Sequence, residues 1–375
     1  MATEVLPDDR ALRGGRRERA LAQMEAHDLD VLVLGRGANV RYVTGAQGLW
    51  VAGTHPFAPR CVVVRATGAI HMLSTWDEGI PDDIPHAQLY GLTWNPMNWV
   101  PVLRGIAGTA TARRVGTDAM SPAFAQLLPL AFPAAELVDA EPAMRAARRV
   151  KTADEVAALR AAIGVAEASL AAAVAELRPG VTEGELSGAL LQAAAAGGVT
   201  TPATQEAAWV TSREHRWRRS SVDGRVGPGD LVAFTAGVVA GGYIGEVGRT
   251  WPAAGGANAG AVGVLYRRWD VLWARLAAAC RPGAAASDLL AAYEAVGEPL
   301  PPMPVARGLG LGFDTPVVTS GLPATAAAER LEPGMVLAVT GYVWQREVGA
   351  VFAREAVLIT ADGSELLTSS PVFQP

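Results

Sequence analysis

The sequence predicts an α+β protein with two domains. Its 375 residues exceed the roughly 100–200 residues of a typical single domain. Long helical segments occur together with hairpin-forming strands, which is typical of α+β proteins rather than of a repeated βαβ sheet. The clearest boundary lies near residue 149, just before a helix-start pattern. We therefore expect one domain of residues 1–148 and a second of residues 149–375.

The first domain has the pattern of an α/β fold. A plausible helix precedes an uninterrupted apolar run that is closed by Gly35, which indicates a buried strand. Two later apolar runs flank the turn Ala66-Thr67-Gly68 and predict a hairpin. The proline-containing residues 86–99 are expected to form a loop. The predicted elements are a helix over residues 16–28, strands over 31–34 and 114–116, and a hairpin of residues 61–65 and 69–74.

Two capping boxes predict where helices of the second domain begin. The two segments are Thr152-Ala-Asp-Glu155 and Thr182-Glu-Gly-Glu185. In each, the threonine hydroxyl can accept a hydrogen bond from the backbone amide of the glutamate, while the glutamate carboxylate accepts one from the backbone amide of the threonine. Pro179-Gly180 and Gly197-Gly198 then end the two helices. The later predicted elements are strands at residues 230–236, 335–341 and 351–360 and a helix around residues 262–280.

Composition and charge argue against several classes of protein. The chain has 32 Lys and Arg against 37 Asp and Glu, so it lacks the basic field that nucleic acid or an anionic membrane would attract. Cys61 and Cys280 are too few for a disulfide framework or a zinc ribbon. Residues 3–10 lack the apolar core of a secretory signal, and no run of about twenty uncharged apolar residues could span a membrane. We therefore expect a cytoplasmic protein that binds neither nucleic acid nor membrane.

Several short motifs occur in order along nearly the whole chain. Each is weak alone, but the ordered set is specific. They are Asn39-Val-Arg-Tyr-Val-Thr-Gly45, Arg149-Val-Lys-Thr-Ala-Asp-Glu155, Pro179-Gly-Val-Thr-Glu183, Gly229-Asp-Leu-Val232, Gly242-Tyr-Ile-Gly-Glu-Val-Gly-Arg249-Thr250, Gly308-Leu-Gly-Leu311, Leu331-Glu-Pro-Gly-Met-Val336 and Ala353-Arg-Glu355.

This set resembles the pita-bread family, which includes methionine and Xaa-Pro aminopeptidases, prolidases and creatinases. The resemblance implies a smaller creatinase-type α/β domain followed by a pita-bread domain. In the peptidase members, two aspartates, a histidine and two glutamates bind a pair of divalent metals. These metals lower the pKa of a shared water and so produce hydroxide near neutral pH.

The metal-ligand positions that the resemblance implies are mostly changed in this chain. The aspartate positions fall on Thr235 and Glu246, the histidine position falls on Arg307, and the glutamate positions fall on Thr340 and Glu355. Two carboxylates therefore remain of four. Arginine stays protonated and cannot bind a metal, and its charge would repel one. We expect that the dinuclear site is lost and that the protein uses no cofactor.

Creatinase is the family precedent for hydrolysis of a carbon–nitrogen bond without metal. That chemistry needs a general acid/base, carboxylates that hold a cationic group, and an arginine that holds the substrate's carboxylate. The resemblance thus makes Glu246, Glu355 and Arg307 the catalytic candidates, together with His215, the only histidine of the second domain. The alternative is that the two glutamates and Arg307 form an inert ion-pair cluster, because buried charges must be paired.

Other residues are candidates for binding a small-molecule substrate. The resemblance also implies a homodimer in which a loop of the first domain reaches the neighbouring active site, as in creatinase-like and prolidase-like proteins, and ordinary domain packing is the alternative. Arg219 is near the position of a substrate-contacting histidine, and its run of neighbouring arginines could bind an anion or form a solvated surface. The candidates are Arg219, Tyr243 and Asp314 in the second domain, where Asp314 could instead cap a turn, and Phe57, Arg60 and Trp94 in the first.

Three hypotheses about function remain open. The first is a metal-independent, creatinase-like hydrolase or lyase that acts on a carbon–nitrogen bond of a small metabolite. The second is an Xaa-Pro aminopeptidase or dipeptidase of the metallopeptidase type, which Thr235, Arg307 and Thr340 contradict. The third is an inactive pita-bread protein that binds a ligand. The sequence favours the first narrowly over the third, because polar residues persist at the cavity positions.

Overall fold

The computed structural model describes residues 10–46, 59–73, 79–91, 95–118, 121–199, 202–204, 207–220 and 224–374. The chain forms two compact units, the first of which ends at Arg148 while the second continues from Arg149. Each unit has its own β-sheet.

The first unit is built on a mixed sheet. The helices are α1 (Arg10–Ala26), α2 (Gly37–Thr44), α3 (Trp99–Gly105), α4 (Pro122–Ala131) and α5 (Glu141–Arg149), and the strands are β1 (Val31–Leu34), β2 (Cys61–Val64), β3 (Ala69–Leu73), β4 (Leu89–Tyr90), β5 (Arg114–Thr117) and β6 (Glu136–Asp139). The strand order is β4-β3-β2-β1-β5-β6. The pairs β1–β5, β5–β6 and β3–β4 are parallel, whereas β1–β2 and β2–β3 are antiparallel.

The second unit contains a larger sheet. The helices are α6 (Ala153–Ala175), α7 (Glu183–Ala196), α8 (Ala259–Ala279), α9 (Asp288–Ala295) and α10 (Ala324–Ala327), and the strands are β7 (Ala208–Val210), β8 (Leu231–Ala240), β9 (Tyr243–Pro252), β10 (Ala306–Leu309), β11 (Phe313–Val318), β12 (Val336–Gln345), β13 (Gly349–Ile359) and β14 (Ser364–Leu366). The strand order is β11-β10-β12-β13-β9-β8-β7, and β14 pairs with β13. All of its described strand pairs are antiparallel.

The sequence determines where α6 and α7 begin. Thr152 and Thr182 each cap a helix by accepting the amide of the residue three positions later, and the side chains of Glu155 and Glu185 accept the threonine amides in return. Each capping box satisfies two amides that the first turn of a helix would otherwise leave unpaired. Both predicted capping boxes are therefore present, and they fix the start of the long helix that supports the sheet.

One face of the larger sheet is covered by helices. Gly245 lies against α6 so closely that a Cβ atom there would be 2.2 Å from the carbonyl group of Ala162. Gly341 lies in the same way against the indole of Trp269 in α8. We call this the helix-covered face and the opposite side the inner face. Because side chains alternate along a strand, successive residues belong to these two faces in turn.

The long helix α6 has the length and the apolar composition of a membrane span, but half of its most apolar stretch is buried inside this unit. Arg160 and Glu167, the charged residues of α6 beyond its first turn, both have partners within the unit. Arg160 contacts Glu365 at 2.7 Å, and Glu167 accepts the hydroxyl of Ser369 at 2.8 Å. The helix also contacts β8 and β9. These contacts are those of the core helix of a globular unit.

We predict that Gly245→Ala destabilises the protein, because its methyl group would overlap the backbone of α6. Overpacking of this kind costs about 1–3 kcal/mol. Gly188→Ala is the matched control, since nothing lies within 4 Å of a Cβ atom at this helical position. Alanine should stabilise α7 there by about 0.5–1 kcal/mol. Urea unfolding followed by circular dichroism measures both variants, and equal midpoints for the two would contradict the close packing.

Candidate functional site

The strand register brings five side chains together on the inner face. Thr235 of β8 and Arg354 of β13 both lie opposite Gly248 of β9. Directly opposed residues of antiparallel strands point to the same side of a sheet, so residues two apart from them share that side as well. This relation places Glu246 beside Gly248 in β9, Thr340 opposite Arg354, and Arg307 opposite Ala338 of β12 on the same face. We call Thr235, Glu246, Arg307, Thr340 and Arg354 the inner cluster.

Glu246 is the centre of the inner cluster. Its side chain is completely buried and accepts hydrogen bonds from two guanidinium groups. Nη2 of Arg307 donates to both carboxylate oxygens, at 2.5 and 2.6 Å. Nη1 of Arg354 donates to Oε1, while Nε of Arg354 donates to the hydroxyl of Thr340 at 3.0 Å. Arg307 also lies over the ring of Phe313, 4.0 Å from the ring centroid. The ion pairs thus link β9, β10 and β13.

The charges of the inner cluster are not balanced. Burial by itself would raise the pKa of Glu246, but Arg354 and Arg307 outweigh it and hold that pKa below its ordinary value. Burial lowers the pKa of Arg307, with a further contribution from the like charge of Arg354, although a guanidinium remains protonated at neutral pH. Among the described residues, two positive groups therefore share one carboxylate. In addition, Nε of Arg307 is buried and has no hydrogen-bond partner within the described part of the chain.

The prediction that Glu355 joins Glu246 in one site is wrong. Glu355 lies next to Arg354 in the strand, so it points to the helix-covered face. There its carboxylate accepts hydrogen bonds from Nη2 of Arg249, at 3.0 Å, and from the hydroxyl of Thr368. Burial raises the pKa of Glu355, and these two partners lower it only in part. Its neighbour Arg354 occupies the inner face instead, so one carboxylate faces the cluster rather than the expected two.

Tyr243 and Asp314 also lie away from the inner cluster. Tyr243 is fully buried and donates its hydroxyl to Glu155, at 3.2 Å, at the start of α6. Asp314 forms an ion pair with Lys151 at 3.1 Å, and both side chains are 1% exposed. Lys151 is the only lysine of the chain, so this pair is a specific connection between the segment before α6 and β11. Neither residue lines the inner face as the sequence predicted.

His215 and Arg219 belong to an exposed loop. The His215 side chain is 66% exposed, and its described ionic neighbour is Glu214, 3.9 Å away. This position does not fit a general acid/base that acts on a ligand at Glu246. Arg219 is exposed and lies over the ring of Trp209, 5.3 Å from the centroid. Because Trp209 pairs with Ala233 of β8 on the inner face, Arg219 lies at the edge of this face rather than in the inner cluster.

Of the three substrate-binding candidates in the first unit, the structure describes only Arg60. Phe57 and Trp94 lie outside the described residues. Arg60 immediately precedes β2, where its amide donates to the carbonyl of Leu34 at 2.7 Å and its carbonyl accepts the amide of Leu73 at 2.8 Å. The backbone of Arg60 therefore extends the sheet of the first unit. The role of these three residues in a neighbouring active site stays a prediction.

Aromatic side chains adjoin the inner cluster on the same face. The rings of Trp209 and Phe352 are 5.6 Å apart, and the guanidinium of Arg354 lies 5.3 Å from the Phe352 centroid. Tyr342 and Trp344 continue the inner face along β12. Rigid rings next to buried guanidinium groups give this face both apolar contact area and fixed hydrogen-bond donors.

The comparisons with known proteins identify the family. The model for Metallopeptidase family M24 matches residues 157–361, and the model for the Creatinase/Prolidase N-terminal domain matches residues 16–150. The chain belongs to the M24 family, and its fold is the predicted pita-bread fold with a creatinase-type N-terminal domain. None of the curated proteins matches the chain in sequence.

Solved structures of related enzymes have the same fold over nearly the whole chain. The prolidase from Pyrococcus horikoshii OT3 is 18% identical, with 96% of this chain and 99% of that chain covered and a TM-score of 0.78. Dipeptidase PepE from Mycobacterium ulcerans is 22% identical, with 98% of each chain covered and a TM-score of 0.74. Proline aminopeptidase P II from Yersinia pestis is 19% identical, with the same coverage and a TM-score of 0.72. The family match therefore favours the second hypothesis, an Xaa-Pro metallopeptidase, over the metal-independent hydrolase.

A metallopeptidase family implies bound metal, and the donor set of the inner cluster does not fit it. Hard divalent metals require several carboxylate or imidazole ligands. The inner cluster offers one carboxylate, and both of its oxygens already accept hydrogen bonds from guanidinium groups. It also offers two threonine hydroxyls, one of which accepts a hydrogen bond from Arg354. Among the described residues, no group of three or more His, Cys, Asp or Glu side chains could hold a metal ion.

We predict that Glu246→Gln lowers the stability of the folded protein at pH 7. Removing one partner of a buried ion pair costs about 3–5 kcal/mol, and here the loss leaves two guanidinium groups without a carboxylate. Glu214→Gln is the control, because this side chain is 84% exposed and the change should stay within about 0.5 kcal/mol. Urea unfolding provides the measurement, and equal stability of wild type and Glu246→Gln at pH 7 would contradict the arrangement.

The same variant should have a defined pH dependence. Because the pKa of Glu246 is lowered on folding, its stabilising contribution is fully present above the ordinary value of 4.5 and is lost as the pH falls through the folded-state value. The difference between wild type and Glu246→Gln is therefore expected to be constant from pH 7 to about 5 and to shrink in more acidic buffer. A difference that grows on acidification would show that Glu246 is not stabilised as a carboxylate.

Proposed function

We propose that this M24-family protein binds a small molecule through its carboxylate group and does not use a pair of metal ions at its inner cluster. The observation that supports this proposal is the excess positive charge of Arg307 and Arg354 around the single carboxylate of Glu246. Uncompensated charge in a buried position is costly. A ligand carboxylate would supply the missing negative charge, and Nε of Arg307, for which the described residues offer no acceptor, is a possible donor to it.

The geometry supports ligand binding better than acid–base catalysis. Glu246 is held ionised by two guanidinium groups, and a carboxylate with a lowered pKa is a weak general base. Glu355, whose pKa is raised, belongs to the other face of the sheet. His215 is exposed in a loop. The metal-independent hydrolase hypothesis therefore lacks an acid–base pair among the described residues. The third hypothesis, an inactive binding protein, fits the inner cluster better.

The second candidate is an Xaa-Pro metallopeptidase, which the family match favours. The structures of a prolidase, a dipeptidase and a proline aminopeptidase have the same fold. The donor set of the inner cluster opposes this candidate. The two candidates make opposite predictions for metal binding, so one measurement separates them. Assembly as a homodimer and a cytoplasmic location stay predictions under either candidate.

We predict that the purified protein takes up less than a stoichiometric amount of Mn, Co or Zn when it is incubated with these metals and then desalted. Elemental analysis by mass spectrometry provides the measurement. Arg307→His should not change the result, because one imidazole and one carboxylate remain too few ligands for a pair of metals. Uptake of about two equivalents per chain by the wild type would reject the proposal and favour the metallopeptidase.

We predict that carboxylates bind more tightly than the matched amides. Glycyl-proline and glycyl-prolinamide differ in the carboxylate that the guanidinium groups would bind. A hydrogen bond to a charged group contributes about 1.5–3 kcal/mol, so glycyl-proline should bind at least about tenfold more tightly in isothermal titration calorimetry.

Two variants control the carboxylate experiment. Arg307→Met removes a donor of the inner cluster and should abolish the preference for the carboxylate. Arg178→Met, in which an exposed arginine is replaced, should keep it. The proposal would be rejected if no carboxylate from a panel of amino acids, dipeptides and simple organic acids bound to the wild type, or if amides bound equally well.

A further inference from the structure

The inner cluster is most accessible from solvent at Arg307. The side chain of Arg307 is 16% exposed, compared with 9% for Arg354 and none for Glu246. Thr235 and Thr340 are buried as well. The bonds from Arg307 to Glu246 use Nη2, and Nε of Arg307 has no acceptor among the described residues. A ligand that enters from solvent would therefore meet the cluster at Arg307.

Arg307 adjoins the edge strand β11. Among the described strands, β11 pairs only with β10 and forms one edge of the larger sheet. Burial alternates along β11, so that its even-numbered residues are buried and its odd-numbered residues are exposed or half-buried. Val317 lies directly opposite Arg307 in the register, and directly opposed residues point to the same side of a sheet. The exposed side of β11 is therefore on the inner face.

Two exposed apolar side chains lie beside Arg307 on this face. Phe313 is 47% exposed and Val317 is 41% exposed. The ring of Phe313 lies over the guanidinium of Arg307, with the guanidinium carbon 4.0 Å from the ring centroid. A ring on the face of a guanidinium leaves the plane of its N–H groups as the direction from which a carboxylate binds. The carbon atoms next to a bound carboxylate would consequently lie beside Phe313 and Val317.

An apolar group of the ligand would cover these two side chains. Removal of apolar surface from water is favourable in proportion to its area. Small-molecule sites generally combine apolar walls with a few polar groups that fix the orientation of the ligand. Here Phe313 and Val317 provide the apolar surface, and Arg307 provides the charged donor.

The composition of β11 favours a small ligand over a second protein chain at this edge. An edge strand can pair with another chain through its unpaired backbone groups. Pro316, within β11, has no amide hydrogen, and proline is one of the means by which edge strands avoid such pairing. Apolar contact alone would also leave Nε of Arg307 without an acceptor, whereas an acid supplies one.

We propose that Phe313 and Val317 determine the specificity of the carboxylate site and that its ligand is an apolar carboxylic acid, with an aryl or branched alkyl group close to the carboxylate. This ligand class rests on the proposed function, since the carboxylate is the group bound at Arg307. It adds that affinity comes from an apolar group beside the acid, so the amine and the peptide bond of a dipeptide are not needed.

The experiment compares 3-phenylpropanoate with propanoate, which lacks the ring, and with 3-phenylpropanamide, which lacks the charge. Isothermal titration calorimetry at constant ionic strength measures all three with the wild type. We expect 3-phenylpropanoate to bind at least about tenfold more tightly than propanoate, because its ring covers apolar surface. It should also bind at least about tenfold more tightly than the amide, because a hydrogen bond between charged groups is lost in the amide.

Variants of exposed apolar residues test where the ring binds. Phe313→Ala should lose most of the preference for 3-phenylpropanoate over propanoate, and Val317→Ser should lose a smaller part of it. Leu191→Ala is the matched control, because Leu191 is also 47% exposed and lies in α7. This variant should keep the preference. The midpoint of urea unfolding shows whether each variant is folded.

Light scattering after size-exclusion chromatography tests the other occupant, a second copy of the chain. We expect the same molar mass for the wild type and Phe313→Ala. A lower mass of the variant together with an unchanged preference for 3-phenylpropanoate would show that Phe313 is a contact between copies, and the apolar wall would be rejected.

The remaining outcomes separate the ligand class from the proposed function. If 3-phenylpropanoate and propanoate bind equally and both bind more tightly than the amide, the apolar wall is rejected while the proposed function stands. If Phe313→Ala keeps the preference as Leu191→Ala does, the ring binds elsewhere and the wall is also rejected. If neither acid binds, and the carboxylate panel does not bind either, the proposed function fails and the ligand class fails with it.

Discussion

The carboxylate of Glu246, held between Arg307 and Arg354, is the interaction on which the chemistry of the inner face depends. It links three strands, and along the chain Arg307 and Arg354 lie 61 and 108 residues from Glu246. In a dinuclear peptidase site, a carboxylate between two cations neutralises part of their charge. Here two guanidinium groups are the cations, and they are covalent parts of the chain. The attraction within the cluster is therefore between side chains of the chain itself, and in our proposal its excess positive charge binds the carboxylate of a ligand.

The alternation of side chains along a strand explains which part of the site was predictable. The fold class follows from motifs that occur in order, and the family match confirms it. The motifs also led to Thr235, Glu246, Arg307 and Thr340, which the register brings onto one face. The motif Ala353-Arg-Glu355 also predicts Glu355 at the last glutamate position, but the register places Glu355 on the helix-covered face. A shift of one residue exchanges the two faces, so Arg354 faces the cluster. Period-two alternation relative to Thr340 could have indicated this.

The loop of residues 212–220 was harder to predict from the sequence than the inner cluster. A run of arginines next to polar residues usually forms a solvated surface, and this interpretation was available for residues 213–219. The stacking of Arg216 and Arg219 depends on tryptophans that lie on β7 and β12, far away in sequence. The left-handed backbone at Trp217 has no local sequence cause such as glycine or asparagine. It follows from contacts with Tyr342, and such long-range contacts have no local sequence pattern.

The two faces of the larger sheet explain how the fold persists while the chemistry changes. The helix-covered face contains the close approach of Gly245 to Ala162 and the packing of α8 on β12, so it sets the positions of the strands. The inner face carries the inner cluster and the aromatic rings beside it, and these side chains do not take part in the packing against α6 and α8. Threonine or arginine at the positions where the family resemblance implies metal ligands changes the charge of the inner face without changing the helix contacts of the other face. The fold is accordingly shared with peptidases of 18–22% identity, whereas the donor atoms presented by that fold must be established from the residues of this chain.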